Sequence, residues 1–80
     1  MTTMLSAHRT EKLLTAMRGL SPDGRPIDRA MLEARIQAEP TLLMVSAHHL
    51  WRETLYLTLS VLQQQGRVQA TDAGYALLEA

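Results

Sequence analysis

The densest apolar pattern of this chain lies in its second half, where the spacing predicts a long helix over residues 48–65. At about 100° per residue, Leu50, Leu57 and Val61 form one apolar group, and Trp51, Leu55, Leu59 and Leu62 form a second beside it. Together they cover more than half the circumference, with Thr54 and Thr58 inside the arc. The rest of the helix carries His49, Arg52, Glu53, Tyr56, Ser60, Gln63 and Gln64. A stripe that wide marks a helix contacted from two directions, either the central helix of a domain or a dimer seam. Trp51, at the edge of the arc, is expected to be buried.

Two weaker stripes precede it. Leu13, Leu14, Met17 and Leu20 sit at helical spacing and predict a helix over about 6–18. Gly19 is placed to stop that helix in the left-handed conformation, with Leu20 closing the cap. Arg9, Glu11, Lys12 and Arg18 fall on the solvated side. Ser21-Pro22-Asp23-Gly24-Arg25-Pro26 is dense in turn residues and reads as a loop. Asp28 then caps a second helix, with Ile27 and Leu32 as a hydrophobic staple across its start. Met31, Leu32 and Ile36 are expected to face the core, and Arg29, Glu33 and Gln37 to face outward. Pro40 disfavours helix at Glu39 and ends the element. Residues 41–45 read either as a buried connector or as the first turn of the long helix, with Ser46 a candidate cap.

Beyond the long helix, Gly66 is a stop and Arg67-Val68-Gln69-Ala70 is strand-prone. Thr71-Asp72-Ala73-Gly74-Tyr75-Ala76-Leu77-Leu78 has two readings. In one, Thr71 caps a short last helix and Asp72 favours its N-terminal dipole. In the other, Asp72-Ala73-Gly74 is a hairpin loop with a left-handed glycine, and residues 75–78 form the return strand.

The order of these elements resembles the winged helix-turn-helix superfamily. Gly24-Arg25-Pro26-Ile27-Asp28 looks like the short strand and cap before that fold's second helix. Leu62-Gln63-Gln64-Gln65-Gly66-Arg67-Val68 looks like the end of its recognition helix entering the wing. Thr71-x-x-Gly74-x-x-Leu77-Leu78 is similar to the start of the helix after the wing in MarR-like regulators, and on that resemblance the helix is the preferred reading of 71–78. The resemblance implies a mainly α, small winged helix-turn-helix-like domain with a reduced wing. The link over 39–45 is longer than a tight helix-turn-helix uses.

Eighty residues make one domain, 1–80. A chain of this size buries only about 60% of its unfolded surface, so a homodimer is expected, with its seam on the third or the N-terminal helix. Cysteine is absent, which excludes disulfides and thiolate metal sites. No run of 18 apolar residues marks a membrane span, and the N-terminus lacks the pattern of a signal peptide. The expected setting is soluble and cytoplasmic. Eight basic side chains meet eight acidic ones. Residues 1–35 hold six basic and four acidic groups, and residues 36–80 hold two and four. Duplex-binding domains usually carry a basic stripe, and none is visible here.

His49 and Glu53 have a spacing that can share a metal, but a site needs three or four ligands and no further one lies near. Ser46 and His49 lack an orienting acid. No metal, cofactor or catalytic role is therefore expected. Two functions remain. The first is a DNA-binding transcriptional regulator whose long helix meets double-stranded DNA through His49, Arg52, Tyr56, Gln63, Gln64 and Arg67. The second is a protein-interaction module of the same fold, of phage or mobile-element type, which binds and modulates a larger host protein. Zero net charge and the wide apolar helix favour the second, and the fold resemblance favours the first.

Overall fold

The computed structural model describes residues 3–43 and 50–78. Helix α1 (Thr3–Leu20) buries Leu13, Leu14 and Met17 completely. It is longer than its apolar stripe predicts and runs straight through Gly19, which is not left-handed. It stops at Leu20, one residue later, where the Ser21 amide donates to the Met17 carbonyl (2.9 Å). The left-handed glycines are Gly24 (φ 81°), in the turn-rich loop, and Gly66 (φ 73°), after the long helix. In the loop the Ser21 hydroxyl donates to the Arg25 carbonyl.

Strand β1 (Ile27–Asp28) leads directly into helix α2 (Arg29–Ala38). Asp28 caps it as expected, its carboxylate accepting from the Ala30 amide at 3.0 Å. Leu32 and Ile36 are the buried residues of α2. Met31 is not a core residue and stands 49% exposed. It lies about a quarter-turn or more off the line through Leu32 and Ile36, on the side no other element covers. A 3-10 turn (Pro40–Leu43) follows and inserts Leu43 into the core. The described part of 41–45 is thus a connector, in which Leu43 is buried, Leu42 half-buried and Thr41 exposed. Met44, Val45 and Ser46 lie outside the described residues, as do His48 and His49.

Helix α3 (Trp51–Gln64) buries Trp51, Leu55, Thr58, Leu59 and Leu62. Strands β2 (Val68–Ala70) and β3 (Gly74–Leu77) follow. The sheet order is β1-β3-β2, antiparallel throughout. Ile27 pairs with Tyr75 and Asp28 with Gly74 on one edge of β3, and Val68 pairs with Leu77 on the other.

Residues 71–78 are therefore a hairpin return, and the helix preferred from the resemblance is corrected. The runner-up reading is corrected in one detail, since Gly74 is not left-handed and already belongs to the strand. Two contacts explain the misreading. The Gly74 amide donates to the Thr71 hydroxyl (2.9 Å), the same i to i+3 bond a helix cap would make. Here the Thr71 amide also donates back to the Gly74 carbonyl (2.7 Å), which closes a turn instead. Gly74 is required for a different reason. A β-carbon there would overlap the Ile27 carbonyl oxygen and stand 2.9 Å from the Arg29 amide nitrogen.

Ile27, Val68 and Tyr75 of the sheet close over the helical core formed by Leu13, Leu14, Met17, Leu32, Ile36, Leu43 and the inner side of α3. The result is a mainly helical domain of three helices and a small antiparallel sheet among the described residues, compatible with a small winged helix-like domain with a reduced wing.

Candidate interaction face on the third helix

The wide apolar arc of α3 splits in two. Trp51, Leu55, Leu59 and Leu62 are covered by the domain, with none above 6% exposure. The other group is not covered. Leu57 is 68% exposed and Leu50 38%, and Val61 is half-buried. Of the two directions expected from the wide arc, the described elements fill one, and α1 reaches only the near side of the second group. A small recess of about 100 Å³, lined by Arg9, Thr10, Leu57, Thr58 and Val61, marks that junction. Arg9 is not purely solvated either, since its Nε donates to the Leu43 carbonyl at 2.7 Å.

Of the residues proposed for a nucleic-acid or partner face, Arg52, Tyr56 and Arg67 each meet a carboxylate. His49 lies outside the described residues. Gln63 and Gln64 are exposed at the C-terminal end of α3, beside Gln65. Arg67, at the start of the wing, is turned back onto α1, its Nη1 2.8 Å from Glu11 Oε2. Arg52 lies against Trp51, its guanidinium 5.1 Å from the ring centre, and its Nε is 3.5 Å from Glu33 Oε1.

Tyr56 faces α2 rather than open solvent. Its hydroxyl donates to Glu33 Oε2, and its ring centre is 6.5 Å from that of Tyr75 on β3. Arg29 covers the Tyr75 ring at 5.5 Å. The hydrogen bond to Glu33, partial burial and the Glu33 charge push the Tyr56 phenol up to about 12. Glu33 thus organises this side of the molecule, holding one residue of α3 by a hydroxyl and another by a guanidinium. The sequence reading placed Glu33 on a solvated face. Its partners lie across a helix–helix contact, and nothing in the local spacing of α2 reveals them.

A second feature was also missed. A groove of about 540 Å³ runs along the outer side of α1 against α2 and the 3-10 turn. Ala16, Gly19, Leu20 and Leu42 make its floor, and His8, Lys12 and Arg35 stand on its rim. The small residues at 16 and 19 are the sequence signal that could have found it, since they leave one side of α1 without bulk. Glu11 also lines the groove, but its carboxylate is engaged by Arg67. Among the described residues no three His, Asp or Glu side chains cluster as a metal site, and no helix is long and apolar enough to cross a membrane.

Comparison with known proteins gives no match: no family model, no curated protein and no solved structure is significantly similar to this chain.

Proposed function

We propose that this chain is a protein-interaction module of small winged-helix-like form, whose contact face is the outer side of α3. The observation that carries this reading is Leu57, 68% exposed at the middle of that face, with Leu50 and Val61 beside it. Exposed apolar side chains grouped on one face mark binding sites, and among the described residues only the edge of α1 reaches this group. The electrostatics agree. Affinity for nucleic acid comes chiefly from Lys and Arg neutralising phosphates. The outward side of α3 carries Glu53, Ser60 and Gln64; Arg9, at its edge, is bonded to the Leu43 carbonyl, and Arg52 and Arg67 are each held by a carboxylate. Binding and modulating a larger host protein is the form of this reading that the sequence favours.

A DNA-binding regulator is the second reading. It is favoured by the element order, with an exposed helix followed directly by a hairpin, and by Gln63 and Gln64 at the helix end. A titration of labelled mixed-sequence duplex across salt concentrations separates the two. The expected result is no binding in the micromolar range even at low salt, together with discrete protein adducts from a photo-crosslinking residue placed at Leu57. Binding that weakens with salt, at a logarithmic slope of magnitude about 2 to 4 for two cations per chain, and that Arg52→Ala lowers, overturns the protein-partner reading in favour of DNA.

A further inference from the structure

Among the described residues two surfaces are unfilled, and they match in length. The outer stripe of α3 runs from Leu50 to Val61, about 16 Å at 1.5 Å per residue. The groove follows α1 from His8 to Gly19, again about 16 Å. The stripe offers apolar side chains with Glu53 at its flank, exposed and without an ion pair among the described residues. The groove offers an apolar floor with Lys12 at its rim, also exposed and likewise without an ion pair. The stripe borders the Thr10 side of α1, and the groove lies on the far side of that helix. One copy therefore cannot fill its own groove, whereas a second copy can.

We propose that the outer stripe of α3 in one copy seats in the α1–α2 groove of another. The contact joins unlike surfaces, with Leu57 and its neighbours on the floor at Ala16, Gly19 and Leu42, and Glu53 towards the cationic rim. Such a contact closes into a pair only if two copies serve each other; otherwise it makes a ring or a row. It rests on the reading that the outer side of α3 binds protein, and it names a second copy as an occupant. A larger partner would then compete with self-association for the same stripe.

The test uses two variants that leave the core alone. Leu57→Asp spoils the stripe. Gly19→Leu fills the groove, and it does so without a clash at the backbone, because a β-carbon at Gly19 meets nothing within 4 Å. Sedimentation velocity over a wide concentration range is expected to show wild-type self-association that weakens with added salt. Each variant alone should raise the dissociation constant about tenfold or more, the size expected for an interface anchor, with an unchanged melting midpoint. Mixing the two should restore association, since the intact groove of the Leu57→Asp chain accepts the intact stripe of the Gly19→Leu chain. A wild type that stays monomeric to millimolar concentration overturns the proposal. So does a mixture that fails to associate when each variant alone has lost association. Loss of association in Leu57→Asp but not in Gly19→Leu overturns the groove as the receptor while leaving the outer side of α3 as a protein-binding face.

Discussion

The two sides of α3 are made from the same kind of residue and meet opposite fates. Leu55 and Leu59 are fully buried, whereas Leu57, two positions from each, is 68% exposed. The difference does not come from hydrophobicity. It comes from how many elements a chain this short can bring to one helix. Among the described residues, α1, α2, the 3-10 turn and the sheet converge on the inner side, and only the edge of α1 reaches the outer. A leucine on one side therefore stabilises the fold, and a leucine on the other is available for something outside it.

That contrast predicts the largest stability effect. Leu55→Ala or Leu59→Ala should cost about 2–5 kcal/mol, through lost burial and a residual cavity. Leu57→Ala should stay within about 0.5 kcal/mol of wild type, as surface changes do. Urea denaturation of the three variants checks this, and equal losses at positions 55 and 57 would abolish the distinction between the two sides.

The inner side also depends on a strand far away in sequence. Gly74→Ala should destabilise by about 1–3 kcal/mol, as other overpacked sites do, because the new methyl would displace the Ile27 carbonyl or break its pairing with β3. A thermal melt as stable as wild type would show that the sheet is not needed to cover the inner side.

The boundary between the two sides is Tyr56, and its ionisation gives the smallest and most specific signal. With the phenol raised from 10 to about 12, the folded state holds its proton over a range where the unfolded chain releases it. Stability from this group is complete below pH 10 and falls as pH rises from about 10 towards 12. Ultraviolet titration of the phenols should show the high-pH step disappear in Tyr56→Phe and move back towards the ordinary value of about 10 in Glu33→Gln. A step that survives unmoved in Glu33→Gln would mean that Glu33 does not hold the hydroxyl.

The helices were legible because each is a local pattern. Asp28 as a cap, Leu32 and Ile36 as an inner line, and Gly66 as a stop can be read from a few neighbouring residues. What was not legible depends on partners distant in the chain. Thr71 and Gly74 carry a bond common to helix starts and hairpin turns, and only the approach of Ile27, 47 positions away from Gly74 in sequence, decides between them. Met31 looked like core because it adjoins Leu32, but no element reaches its side. The proposed face was read as a wheel of polar residues. Arg52 and Tyr56 meet Glu33, and Arg67 meets Glu11, acids on other helices that the wheel does not show. The outer stripe of α3 was visible as apolar, and its lack of cover was not.

The sheet order has a consequence for how the molecule acquires its shape. The middle strand follows both of its neighbours in sequence, yet both depend on it for their hydrogen bonds. Until β3 emerges, Ile27–Asp28 and Val68–Ala70 have no β3 strand to pair with, and Tyr75 is not yet there to complete the cover of the helical core. Closing Ile27 onto Tyr75 is a long-range step of the sort that slows folding. The helices can collapse early, but the final structure is gated by the arrival of a four-residue strand, and a ribosome paused shortly before it would hold a chain with its inner leucines still open to water.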